Sequence, residues 1–196
     1  MSNNTLIIFV KNRIPGKVKT RLAKTIGEEK TLAAYDQLLS HTFNITIGLS
    51  CDKVVYYSDF IPESDQWSQA GYRQAQQQGN DLGERMSHTF KNEFKNENKN
   101  ICLIGSDCPQ LNISILENAF DFLGHHNIVI GPATDGGYYL IGMQYLYTQF
   151  FINKHWSTQN VFADTIHDVK SASLKYRLLP ILSDLDEEKD LYLLKN

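Results

Sequence analysis

Long apolar runs are missing from this sequence. The longest early one, Leu6–Val10, is too short for a signal-peptide core or a membrane span, and nothing later reaches spanning length. Basic residues are in slight deficit. Nineteen Lys and Arg against 22 Asp and Glu give a net charge of −3, which argues against general nucleic-acid binding. Cysteine is scarce as well. Cys51, Cys102 and Cys108 are odd in number and form no C-x-x-C pair, which suits a reduced cytoplasm, the expected compartment, better than a disulfide framework. Two common phosphate-binding signatures, G-x-x-x-x-G-K-[ST] and G-x-G-x-x-G, do not occur.

The chain does have 196 residues, 42% of them hydrophobic, enough to bury a sizeable core. With no repeat and no break in composition, it reads as one domain over residues 1–196. Short apolar runs alternate with helical patterns. Leu6–Val10, Val54–Tyr57, Ile101–Ile104, Ile128–Ile130, Tyr138–Ile141 and Leu174–Leu179 read as strands. Leu32, Tyr35, Leu39 and Phe43 recur at helical spacing, as do Leu82, Met86, Phe90 and Phe94. Asn112 can cap a helix with Leu116, Ala119, Phe120 and Leu123 inside, and Val161–Val169 reads as a further helix. Residues 92–100 read as a solvated helix end and loop. Such alternation predicts an α/β fold, a largely parallel sheet with helices on both faces. Ligands then sit at the carboxyl ends of the strands, which directs attention to the loops after Val10, Ile104 and Ile130.

The loop after the first strand carries Lys11, Arg13, Lys17, Lys19 and Arg21 and opens a helix. Cations are unfavourable at a helix N-terminus, and a bound phosphate would relieve the conflict. Gly16 would allow close approach of backbone to that anion. A solvated loop is the plainer alternative; the position after the first strand favours phosphate. Gly105-Ser106-Asp107-Cys108-Pro109 sets one carboxylate just past a buried strand. Asp107 can turn the chain, or it can ligate a hard divalent cation together with substrate phosphates. Asp135, in Thr134-Asp135-Gly136-Gly137, can accept from sugar hydroxyls or lie near a metal, and the adjacent glycines allow a ligand or strand to come close. Asp-Gly is also a turn signal. Trp156 can offer an apolar platform, although core packing is the commoner fate of Trp. His155 can lie at a helix end or on the surface, and Ser157 or Thr158 can cap the helix that follows. The Gly79–Met86 segment joins a polar turn, where a base or ribose could be read, to a helix start capped by Asn80 or Asp81.

Together, Lys11 with Gly16-Lys17-Val18-Lys19-Thr20-Arg21-Leu22, Gly79-x-Asp81-Leu82-Gly83-x-Arg85-Met86, Gly105-Ser106-Asp107-Cys108-Pro109 and Gly131–Gly142 resemble a known group. It is the bacterial family of glycosyltransferase-like proteins related to 2-phospho-lactate guanylyltransferase, also called radical-SAM/selenodomain-associated transferases. The resemblance runs from about Leu6 to the chain end and is most specific at Asp135–Gly142. Leu182–Leu191 is similar to the D-x-D-T-x-x-D-L close of many nucleotidyltransferases, with Glu187 in the place of Thr. The resemblance implies a GT-A-like (Rossmann-like) fold, a mixed, mostly parallel sheet of the nucleotide-diphospho-sugar transferase superfamily. It implies that Lys11 to Arg21 hold phosphates and that Asp107 binds Mg²⁺ or Mn²⁺. The usual D-x-D is reduced to Ser106-Asp107-Cys108, so a second carboxylate must come from Asp135, Asp184 or Asp186. The expected activity is sugar transfer from a nucleotide sugar to a small-molecule acceptor. Lys17, Lys19 and Arg21 would help stabilise the leaving diphosphate. Asp81 and Arg85 would contribute to nucleotide binding, and Asp135, Gly136, Gly137 and Trp156 to the substrate side. Nucleotidylyl transfer from an NTP, or nucleotide binding without catalysis, are the alternatives.

Overall fold

The computed structural model describes residues 3–95 and 99–195; residues 96–98 of the polar 92–100 stretch lie outside the described residues. The strands are β1 (Asn4–Val10), β2 (Asp52–Tyr57), β3 (Arg73–Gln76), β4 (Asn100–Ile104), β5 (Ile128–Pro132), β6 (Tyr138–Met143) and β7 (Tyr176–Leu178). They form one sheet in the order β3-β2-β1-β4-β6-β5-β7. Every pairing is parallel except those of β6 with β4 and β5. The helices are α1 (Thr20–Ile26), α2 (Glu28–Ile47), α3 (Gln66–Gln69), α4 (Leu82–Phe94), α5 (Ile113–Leu123) and α6 (Val161–Ser171).

Strand pleating divides the core. Leu6, Ile8, Val55, Cys102, Ile104 and Leu140 face the layer that holds α5 and the packed side of α2. Ile7, Val54, Ile101, Leu103 and Ile141 face α4 and α6. Both faces are covered, so the central strands are apolar at consecutive positions instead of alternating. Helix α5 is capped and packed as its pattern predicts: Asn112 accepts from the Ile115 N–H, and Leu116, Ala119, Phe120 and Leu123 are buried.

Several elements depart from the pattern. β3 is polar, Arg73-Gln74-Ala75-Gln76. It joins the sheet edge through the backbone of β2 and through Arg73, which pairs with Asp52 at 2.7 Å and buried Glu93 at 2.6 Å. The last strand is only Tyr176–Leu178. On α2 the buried residues are Thr31, Ala34, Tyr35, Leu38, Thr42 and Thr46, while Leu32, Leu39 and Phe43 are half-buried. The threonines are accommodated because each hydroxyl donates to the carbonyl four residues earlier. Leu82, first in the α4 stripe, is exposed. Neither Ser157 nor Thr158 caps α6. Asn160 precedes it, Ser157 has positive φ, and the Thr158 hydroxyl donates to the His155 carbonyl in a preceding turn. Among the described residues no helix is long and apolar enough to cross a membrane, and all three cysteines are free.

Candidate active site

The loops after β1, β2, β4 and β5 lie at one edge of the sheet because their strands are parallel; antiparallel β6 begins at that edge with Tyr138. Two segments fix the loop after β1. Lys11 donates its N–H to the Tyr35 hydroxyl at 3.1 Å, and that hydroxyl donates to the Lys11 carbonyl at 2.8 Å. Burial, with the Asp107 charge opposing ionisation, pushes the Tyr35 phenol up to about 12, so it remains a donor. Asn12 is buried and ties this loop to the one after β2. Its Nδ2 donates to the Phe60 carbonyl at 2.8 Å, its Oδ1 accepts from the Asp59 N–H at 2.9 Å, and its own N–H donates to Ser58 Oγ at 3.1 Å. Sequence reasoning did not single out Asn12; a small amide directly after a buried strand was the available signal.

The basic loop is not an array of unpaired cations. Arg13 forms a two-pronged pair with Asp36 at 2.6 and 2.9 Å, Lys17 lies 3.5 Å from Asp59, and Arg21 lies 3.8 Å from Asp186. These three side chains are exposed. Lys19 is different: it is 8% exposed, and its ammonium lies 2.9 Å from both Asp107 and Asp186. Burial alone would lower the Lys19 pKa, but the two carboxylates raise it well above the usual lysine value. The conflict between these cations and the helix N-terminus, expected from the sequence, is therefore eased by pairing of Arg13, Lys17, Lys19 and Arg21 with acids from four other segments.

Asp107 lies three residues beyond β4. Burial would raise its carboxyl, but the Lys19 charge and hydrogen bond, with Lys11 further off, hold it below the ordinary carboxylate range. The second and third carboxylates arrive from the chain end. Residues 180–186 run across the ends of β5 and β4: the Pro180 carbonyl accepts from Tyr139, Leu182 bridges Ala133, the Ser183 N–H donates to Gln110 Oε1, and the Leu185 N–H donates to the Asp107 carbonyl at 3.0 Å. Leu185 anchors this strap in a small cluster with Val18, Leu22 and Tyr35. Asp186 thereby reaches Lys19. The neighbouring Asp184 has a buried Oδ1 without a hydrogen-bond partner. Burial and the Asp107 charge push its carboxyl up to about 8.

Asp135 is exposed. Its Oδ1 accepts from the Gly137 N–H at 2.8 Å, and its charge bears on Asp184. Gly136 has φ of 89°, and a side chain there would strike the Gln159 backbone, which explains the Asp-Gly-Gly sequence. Gly137 follows in the same turn. Trp156 is half-buried, with its indole edge against Gly83 in α4, so it forms a packed wall and not a free platform. Asp81 caps α4 by accepting from the Glu84 N–H, and Arg85 donates to the Gly79 carbonyl at 3.1 Å. Asp59, also absent from the sequence-derived candidates, links this turn to the basic loop: its carboxyl is held low by the Ser58 hydroxyl and, beyond that, by Lys17 and Arg85. Gly16 adopts φ of 75° just before Lys17. Among the described residues, no group of three or more His, Cys, Asp or Glu is assembled to hold a metal.

No curated protein matches this sequence. Among solved structures, a Desulfovibrio desulfuricans G20 protein provisionally named a nucleotide-diphospho-sugar transferase is 32% identical, with a TM-score of 0.88 over 95% of this chain and 84% of its own. The Rv0371c protein of Mycobacterium tuberculosis, solved with manganese, is 14% identical with a TM-score of 0.58 over the whole of both chains. The inositol-1-phosphate CTP transferase of T. maritima is 12% identical with a TM-score of 0.59, covering 97% and 94%. These last two share the fold. The model of a bacterial family, DUF2064, described as uncharacterized proteins conserved in bacteria, matches residues 43–158. That match covers more than half of the chain, and this protein belongs to the DUF2064 family.

Proposed function

We propose that the chain, over residues 1–196, is a metal-dependent transferase that uses a nucleotide-activated donor, with a nucleotide sugar as the preferred donor. The convergence of Lys19, Asp107 and Asp186 at the carboxyl edge of the sheet carries this reading. The residues fit a divalent cation. Mg²⁺ or Mn²⁺ takes one or two carboxylates and completes its shell with water and phosphate oxygens. Asp107 and Asp186 meet at one cation, and Asp184 beside them has a buried, unpartnered oxygen. Asp107 and Asp186 would hold the ion, which when bound would neutralise charge developing on the leaving phosphates.

The protein's own groups do the rest. Lys17 and Arg21, held only by long, exposed ion pairs, turn to phosphate oxygens at little cost, since such pairs are worth less than about 1 kcal/mol. Lys11 and Arg13 extend the positive field along the same loop. Asp81 and Arg85 shape the turn that faces the base or ribose. The exposed Asp135, set by Gly136 and Gly137, orients the sugar or the small-molecule acceptor, against the wall that includes Trp156. The name of the Desulfovibrio relative and the manganese in the Rv0371c structure support this assignment.

One observation favours nucleotidylyl transfer as a second reading: the additional carboxylates come from Asp184-Leu185-Asp186 at the chain end, and not from the segment after β4 that holds Asp107. Product analysis separates the two. Release of nucleoside diphosphate from a nucleotide sugar supports sugar transfer, and pyrophosphate release from an NTP with a phospho-acid supports nucleotidylyl transfer. Tight nucleotide binding without either product would overturn both.

A further inference from the structure

We propose that Lys19 is a built-in cation that occupies the metal position in the metal-free protein and is expelled when a divalent ion binds, so that metal entry frees its ammonium for the anionic ligand. This rests on the metal-dependent reading above.

The geometry is specific to Lys19. Its ammonium bonds two carboxylates, 88 and 167 residues away in sequence, at 2.9 Å each. These two acids would repel one another without a cation between them. The other cations of the loop point outward, with Arg13, Lys17 and Arg21 between 51% and 65% exposed, whereas Lys19 is 8% exposed. A lysine needed only for phosphate has no reason to be buried. The backbone at this residue is also uncommon: Lys19 has φ 44° and ψ 49° at the start of α1, a left-handed conformation that is unfavourable for a residue with a side chain. A divalent ion and the ammonium compete for the same two oxygens and repel one another. Once displaced, Lys19 joins Lys17 and Arg21 on the open side of the loop. Metal and anion then bind with positive coupling, which must be reciprocal.

Two measurements test this. In the first, Mn²⁺ is titrated into nucleotide-free parent and Lys19→Met protein, with free Mn²⁺ followed by electron paramagnetic resonance. The variant should bind Mn²⁺ at least about fivefold more tightly, the lower end of ordinary coupling, and Mn²⁺ should no longer improve its affinity for GDP as it does for the parent. In the second, which needs no variant, the parent is acetylated with and without Mn²⁺ and mapped by mass spectrometry. Lys19 should react slowly without metal and faster with it, while Lys24 is unchanged. If Mn²⁺ binds the parent but Lys19→Met binds no tighter and Lys19 labelling does not rise, the displacement is wrong and the metal reading stands. If Mn²⁺ binds neither protein, both fail. If Lys19→Met does not fold, the labelling result alone decides.

Discussion

The Lys19 ammonium lies 2.9 Å from the Asp107 carboxylate, with 88 residues of chain between them. This contact joins the loop after β1 to the loop after β4, and Asp186 closes the group from the chain end. It makes removal of either charge asymmetric, as the following predictions require.

Asp107→Asn should fold, because the side chain is 39% exposed and lies outside the strand. Lys19 retains Asp186, so the stability loss should be about 1 kcal/mol, near the upper end for partly solvated pairs. Mn²⁺ plus nucleotide should raise the melting temperature of the parent, and that gain should be absent in the variant. An unchanged Mn²⁺-dependent shift would remove Asp107 from the site.

Asp184→Asn should stabilise the metal-free protein. It replaces a buried acid whose Oδ1 has no partner and which, pushed up to about 8 by burial and by Asp107, must take up a proton on folding at neutral pH. A rise in the denaturant midpoint, worth about 1 kcal/mol, is expected in neutral, metal-free buffer. A fall would mean that Asp184 has a compensating role in the strap.

Lys19→Ala and Arg21→Ala should each weaken nucleotide binding by about 1.5–3 kcal/mol, the range for hydrogen bonds to charged groups. Without ligand they should differ. Lys19→Ala leaves Asp107 and Asp186 facing one another and lowers the melting temperature. Arg21 sits 3.8 Å from Asp186 on the surface, and its loss should be nearly neutral. Melting curves of both variants with UDP, GDP and CDP check the two halves separately.

Asn12→Ala strips partners from the loops after β1 and β2. Leaving buried polar groups unpaired should lower stability by about 1–3 kcal/mol. Nucleotide affinity should fall while Mn²⁺ affinity is kept, since Asn12 touches neither Asp107 nor Asp186. Equal losses of both would point to general unfolding of the edge.

The thiols supply a pH test. Burial pushes the Cys51 thiol up to about 11 and raises Cys102 and Cys108 further. An acid whose folded value is raised contributes stability that is complete below its unfolded value and is lost as pH rises through the folded value. Stability should therefore decline from the ordinary thiol value of 9.0 upward through about 11. Below that window iodoacetamide should modify the buried Cys102 and Cys108 only after unfolding, whereas Cys51 is half-buried. Rapid alkylation of Cys102 or Cys108 in folded protein would contradict the burial.

The main architecture was legible because its causes are local. Apolar runs of three to five residues between turn signals fit strands buried on both faces, and the periodic Leu116, Ala119, Phe120, Leu123 set fits one side of a capped helix. Parallel strands then dictate that Lys19, Asp107 and Asp135 emerge at one edge. Local pattern failed where partners are distant. β3 carries no apolar signal and exists because β2 offers an open edge and Glu93 a buried countercharge for Arg73. The cap assigned to Ser157 or Thr158 gave way to a separate turn held by His155. Most of all, the pairing of the basic loop could not be read from its own residues. Asp36, Asp59, Asp107 and Asp186 come from four other segments, and Asp184 and Asp186 enter only because Leu185 finds a small apolar cluster beneath α1. Local residue chemistry limits which side chains could meet a phosphate and a metal. Tertiary packing decided which of them face each other, because electrostatic partnership depends on distance in space and not on separation along the chain.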